Sequence, residues 1–171
     1  AQKRWRAERV MVLDFDAHHG DGTEEILADR PGVRFLSLFQ WPLFPHRRME
    51  PTPSNAVLSP LPAGAGGEDI RNVVENVWLP EIDKFQPDLM ILSAGFDAHC
   101  EERIAQLKAG EMDYACVTRL LVEASFAYCE GRLVSVLEGG YELRSLARSV
   151  FTHLQGLIRN PLPAETCKDP N

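Results

Sequence analysis

The sequence predicts an α/β fold, a parallel sheet with helices on both faces. Short apolar runs alternate with helical patterns in the order β-α-β-loop-α-β-α-β-α, the signature of a parallel sheet with crossover helices. The first run, Val10-Met11-Val12-Leu13, is continuously apolar, as expected of a buried strand. Each polar cluster falls where a run ends, at the sheet edge where open α/β folds bind ligands.

Residues 10–15 form the first expected strand, opening Val10-Met11-Val12-Leu13. Asp21-Gly22-Thr23-Glu24 reads as a capping box, with Asp21 as N-cap and Glu24 reaching back, starting a short helix to about Asp29. Arg30-Pro31-Gly32 ends it, and Val33–Leu38 gives the second strand. Residues 39–67 show no periodicity and hold half of the twelve prolines, so a long loop is expected there, as a site wall or a disordered segment. From Glu68 to Phe85, Ile70, Val73, Val74, Val77, Trp78 and Ile82 lie on one helical stripe, and Pro80 predicts a kink or break. Leu89–Ala94 is the third strand, followed by Gly95-Phe96-Asp97. A loop or short helix precedes the amphipathic helix 113–129, whose inward residues are Val117, Leu120, Leu121, Ala124 and Tyr128. Leu133–Leu137 is the fourth strand, ending in Glu138-Gly139-Gly140-Tyr141; residues 143–158 form the last helix, and a loose tail follows from 160 to 171.

The chemistry concentrates at Asp14-Phe15-Asp16-Ala17-His18-His19. Strand periodicity places Asp14, Asp16 and His18 on one face. Two carboxylates and an imidazole at the end of a buried strand need compensation for desolvation. A divalent cation such as zinc supplies it, and the donor set suits one. The competing reading makes them ordinary polar residues bonded to loops at a strand mouth. A haloacid-dehalogenase-type phosphatase also opens with Asp-x-Asp, but wants Thr or Val where His18 stands. An arginase-like binuclear site uses Asp-x-His-x-Asp, and the last position here is Gly20. Asp97, just past another strand, is a candidate to join Asp16 and His18; as a turn or cap it would need no metal.

With 171 residues, 44% of them apolar, the chain can bury one core. A formal charge of −7 and a pI near 5.2 argue against direct nucleic-acid binding. No apolar run reaches the ~20 residues of a membrane span. The cysteines at 100, 116, 129 and 167 lack Cys-x-x-Cys spacing and read as free thiols in a reducing cytoplasm. The chain enters a central strand almost at once, which suggests the C-terminal portion of a larger fold.

Taken together, DFDAHHGDGTEE, SLFQWPLFP, LSAGFDAH and VSVLEGGYEL resemble the histone deacetylase family, most closely its class II and bacterial acetylpolyamine-amidohydrolase branch. The resemblance implies an arginase/deacetylase fold lacking its N-terminal strands, a partial deacetylase domain over residues 1–171. It implies a zinc-dependent hydrolase of acetyl-lysine or a similar N-acyl amine. Asp16, His18 and Asp97 then match the zinc ligands and Tyr141 the oxyanion-stabilising tyrosine. Asp14, Asp16, the His18 and Leu38 carbonyls, and Ser37 match an inner potassium site. Phe44 resembles the wall of the substrate channel, and Asp21, Gly139 and Gly140 support the site from behind. His19 is expected to pack or hydrogen-bond.

Two departures qualify these expectations. The family's tandem histidine pair, which handles the proton transfers, lies upstream of the first strand and has no counterpart here; Asp14 and Asp21 match the carboxylates that orient it. Activity of this chain alone is therefore expected to be lost, and exposed sheet edge is expected to invite association or oligomer formation. Where relatives read Gly-Thr-Gly, this chain has His46-Arg47-Arg48, which disfavours a cationic substrate such as a polyamine. The alternative function is a non-catalytic metal-binding or interaction module.

Overall fold

A computed structural model describes residue 2 and residues 7–46 and 50–158. Its centre is a five-stranded parallel sheet of β1 (Val10–Asp14), β2 (Val33–Gln40), β3 (Ala56–Leu61), β4 (Leu89–Ala94) and β5 (Leu133–Leu137), in the order β3-β2-β1-β4-β5. The helices are α1 (Asp21–Leu27), α2 (Gly67–Val73), α3 (Leu79–Phe85), α4 (Glu111–Cys129) and α5 (Leu143–Leu157).

The chain leaves β1 outward through β2 and β3, then returns to lay β4 and β5 on the other flank. The order therefore reverses between β1 and β4, which makes the C-terminal ends of these two strands the ligand crevice. Register sets both ends level, with Asp14 opposite Ser37 on one side and Ser93 on the other.

Alternation along the strands sorts the two faces. Met11, Leu13, Leu36, Leu38, Met90 and Leu92 enter the main core with Phe15, Trp78, Ile82, Tyr114 and Leu121. Helix α4 is buried on more than its predicted stripe: Tyr114, Cys116, Thr118, Val122 and Ser125 are buried besides Val117, Leu121 and Ala124, while Leu120 and Tyr128 are partly buried. The cause is packing on two sides, against the sheet and against α5, where Gly156 lies so close that a Cβ would stand 2.8 Å from Thr118 Cγ2.

The structure revises four expectations. The long proline-rich segment contains β3, which pairs in parallel with β2 over Phe35–Gln40. Proline is tolerated there because β3 is an edge strand among the described residues, so Pro60 leaves no ladder donor missing in the interior. The helix at Pro80 does not break. A π-helical turn, Val74–Trp78, runs directly into α3, and the irregular ladder there accommodates Pro80, which has no N–H to donate to the preceding turn. The capping box does not form: Gly20 is the N-cap of α1, and Asp21 Oδ1 accepts the Gly22 amide at 2.8 Å. Glu24 instead meets His19 Nε2 at 2.5 Å. The free-thiol expectation holds for Cys100 and Cys129 but not for Cys116, which is disulfide-bonded; spacing carries no information about bonds between distant positions. Cys167, Arg47, Arg48 and the 160–171 tail lie outside the described residues.

No helix among the described residues is long and apolar enough to cross a membrane. Strand β5 is the other sheet edge among them, with Val134, Val136 and Leu137 exposed.

Trp78 anchors the region under the π-turn and is fully buried. Trp78→Ala is expected to destabilise the chain by about 3–5 kcal/mol, through lost burial and the cavity left behind. Urea unfolding would measure it; a loss below about 1 kcal/mol would mean the region collapses around the smaller side chain.

Candidate metal centre

Strand β1 ends at Asp14, so the two-residue alternation does not extend to Asp16 and His18. The chain turns, and Asp14 separates from the other two. Its Oδ1 accepts the Asp16 amide at 3.1 Å, and its Oδ2 lies against Gly20, where a Cβ would clash. Asp16 and His18 face Asp97, which follows β4 across the crevice. The donor atoms of Asp16, His18 and Asp97 all lie within 4.8 Å of one another.

Backbone amides fix this trio. Ala17 N donates to Asp97 Oδ1 at 2.9 Å, His18 N to Asp16 Oδ1 at 2.8 Å, and Gly139 N to Asp16 Oδ2 at 2.8 Å. Two glycines make the approach close enough. A Cβ on Gly95 would clash with Asp16, backbone included, and one on Gly139 would stand 2.5 Å from both Asp16 Oδ2 and Asp97 Oδ2.

His18 Nδ1 lies 3.1 Å from Asp16 Oδ1 and 2.8 Å from Asp97 Oδ2. A single ring nitrogen carries one proton, and the hydrogen bond goes to Asp16. Asp97 Oδ2, fully buried, has no hydrogen bond despite the shorter separation. An unsatisfied buried carboxylate oxygen beside a ring nitrogen is costly unless a cation lies between the donors. Ligands about 2.0 Å from a tetrahedral zinc stand about 3.3 Å apart, close to the spacings found. The residues fit a divalent metal.

The electrostatics agree. The carboxylates of Asp16 and then Asp97 beside its ring raise His18 to about 10, against the resistance of burial. Burial works against ionisation of Asp16, but hydrogen bonds from the His18 ring and amide and from Gly139 hold its carboxyl below the usual range. Burial pushes Asp97 up, only partly offset by His18, and the Asp16 charge adds to the rise. Burial drives Asp14 well above its ordinary value, reinforced by Asp16, Glu138 and Asp97.

Of the other candidates, Tyr141 follows Gly140, whose φ of +135° only glycine adopts readily, and is 62% exposed. Burial raises its phenol pKa, and the charges of Asp97 and Asp16 add to the rise. Ser37 and Leu38 are fully buried, Ser37 with its Oγ 3.1 Å from His19 Nδ1. Phe44 is 68% exposed, and Asp21 is exposed with its carboxylate turned to its own helix. His19 packs against Phe39 at 4.7 Å between ring centroids.

His99, Glu101 and Glu111 also bring donors together. Their chemistry opposes a metal. His99 Nδ1 accepts the Glu101 amide at 3.1 Å, so Nε2 carries the ring proton and faces Glu111 Oε1 at 3.4 Å, too poorly placed to hydrogen-bond. Arg148 engages both carboxylates.

Sequence reasoning missed Gly95 and Glu102. Gly95 was marked only by its place between a strand and an aspartate. Glu102 Oε1 accepts the Tyr141 and Glu142 amides at 2.7 and 2.8 Å, and nothing in its polar surroundings signals that.

Behind the centre, His153 of α5 sits between Thr118 Oγ1 at 2.6 Å and Ser135 Oγ at 2.8 Å, edge-on to Phe15 and Phe96. Burial lowers it from 6.5 to about 4. The unfolded chain then takes up the proton first, so this contribution is complete above about pH 6.5 and is lost as pH falls towards 4. It amounts to about 3 kcal/mol. Urea midpoints across that window should fall with acid in the parent and flatten in His153→Gln; an equal slope in both would assign the effect elsewhere.

The histone deacetylase domain family matches residues 1–157. The chain is 34% identical to "Histone deacetylase 10, chloroplastic" of Oryza sativa subsp. japonica, over 99% of this chain and 40% of the relative. It is 31% identical to "Histone deacetylase-like amidohydrolase" of Pseudomonas aeruginosa, over 95% of this chain and 46% of the relative. Among solved structures it superposes on the HDA15 HD domain with a TM-score of 0.82 and 29% identity, covering 95% of this chain and 48% of that one. The chain thus spans less than half the length of these relatives. A parallel sheet of this order and a match over nearly the whole length lead to one conclusion: the chain belongs to the histone deacetylase domain family, with the arginase/deacetylase fold.

Proposed function

We propose that the centre holds one zinc ion through Asp16, His18 and Asp97 and serves hydrolysis of acetyl-lysine or a similar N-acyl amine. The observation that carries this is the convergence of three donors on a buried, unbonded Asp97 oxygen. Zinc bound there would supply a Lewis acid that polarises the amide carbonyl and acidifies water. Asp97 and Asp16 hold the imidazole in place, and their amide partners keep both carboxylates from turning away. The Tyr141 phenol, kept protonated by its raised pKa, donates its O–H to the developing oxyanion. A second, oxygen-ligated cation such as potassium is proposed at Asp14, Asp16, Ser37 and the carbonyls of His18 and Leu38. It would offset the buried Asp14 charge and stiffen the same loop.

A specific observation favours a second reading, a metal-binding module without turnover. Of the five histidines, His18 is a metal donor. His19 is tied to Ser37 and Glu24, His99 to the Glu101 amide and His153 to Thr118 and Ser135. His46 lies exposed on the 41–46 loop. No imidazole among the described residues is placed as a general base, a group typically worth about 10²–10⁴ in rate. The zinc-loaded chain is expected to hydrolyse an acetyl-lysine peptide only slowly, and to respond to added imidazole. The response should vanish in Asp97→Ala and fall about 100-fold in Tyr141→Phe. Stoichiometric zinc with no turnover at any imidazole concentration would leave the non-catalytic reading.

A further inference from the structure

We propose that Glu102 is a positioning residue for Tyr141, clamping the turn that carries the phenol to the segment that carries the metal donor Asp97. The inference rests on the reading of Tyr141 as the oxyanion donor.

Tyr141 follows two glycines, of which Gly140 holds a positive φ, so the backbone before it has wide conformational choice. Its side chain is mostly exposed, and packing does little to hold it. Hydrogen bonds do. Gly139 O accepts the Phe96 amide at 2.7 Å and Gly139 N donates to Asp16, which fixes the start of the turn. Beyond Gly140, the Tyr141 and Glu142 amides both donate to one oxygen, Glu102 Oε1. Two successive amides converging on a carboxylate form a charge-assisted pair, stronger than neutral hydrogen bonds. Glu102 is itself fixed by its amide, which donates to His99 O at 2.9 Å. The turn from Asp97 to Glu102 therefore presents a metal donor at one end and the anchor of the tyrosine at the other. Glu142 then caps α5 through the Arg144 amide, so the clamped turn is also fastened on its far side.

A carboxylate merely needed for folding would alter global stability; a clamp alters the place of one phenol. In Glu102→Ala the Tyr141 and Glu142 amides should exchange hydrogen at least about 10-fold faster, with β1 and β4 amides unchanged. Glu102→Gln, which keeps an acceptor oxygen, should restore much of the protection. On the zinc-loaded chain, Glu102→Ala and Tyr141→Phe should each weaken acetohydroxamate by about 10-fold, the double variant no further than Tyr141→Phe, at unchanged zinc affinity. Retained protection of both amides in Glu102→Ala would overturn the clamp, and so would additive losses. A parent that binds zinc but no hydroxamate would contradict the hydrolase reading, and amide exchange would then decide the clamp by itself.

Discussion

Asp97→Ala is expected to weaken zinc binding by more than about 100-fold while leaving the sheet folded. Losing a residue that only supports a ligand already costs about 10–100-fold. Asp97 is a ligand candidate itself, and its free Oδ2 is the one buried carboxylate oxygen of the centre without a hydrogen bond. The fold should survive because two effects oppose each other. The Ala17 amide loses its acceptor, at about 1–3 kcal/mol, but a desolvated carboxyl that resists ionisation is also removed. Asp97→Asn separates the two, since its Oδ1 still accepts the Ala17 amide while the anionic donor is gone. Both variants should lose zinc, and Asn should be the more stable. Equal zinc affinity in the parent and both variants would remove Asp97 from the site.

The second large effect is expected from a single methyl group. Gly139 does not need a positive φ, so alanine fits its backbone. Space is what fails: the new Cβ would stand 2.5 Å from one oxygen of Asp16 and one of Asp97. Those oxygens are buried and directed at the centre, so they must turn away from it, and the Gly139 amide that holds Asp16 shifts with them. Gly139→Ala should therefore reduce zinc affinity by about 100-fold or more, with a stability change of only about 1–3 kcal/mol. Metal competition against a chromophoric chelator and thermal melts of the zinc-free chain would measure the two separately. A variant that binds zinc as the parent does would mean that the carboxylates have slack the close contact denies.

Most of the architecture was legible because buried parallel strands write themselves as largely apolar runs. β1, β2 and β4 carry that mark, β5 reads as apolar although Val134, Val136 and Leu137 are exposed at the sheet edge, and the ionisable clusters after β1 and β4 marked the crevice. β3 was hidden by Pro60, which argues against a central strand but is harmless at an edge. Asp14 looked equivalent to Asp16 and His18 because the two-residue alternation was carried past the strand's end; once the chain turns, periodicity says nothing about direction. The glutamate of the expected capping box was read as serving its own helix, whereas Glu24 has a better partner in His19. Glu102 was invisible for a related reason. A glutamate that accepts distant amides obeys no local period, and only folding brings it to the tyrosine turn.

Zinc-edge X-ray absorption on the stoichiometrically loaded chain reads out whether Asp16, His18 and Asp97 form one metal centre. A nitrogen and oxygen shell at about 2.0–2.2 Å with a single imidazole contribution is expected, and the whole signal should be lost in Asp97→Asn, which releases the metal. A sulfur shell near about 2.3 Å, or a spectrum unchanged in that variant, would place the metal elsewhere and contradict that assignment.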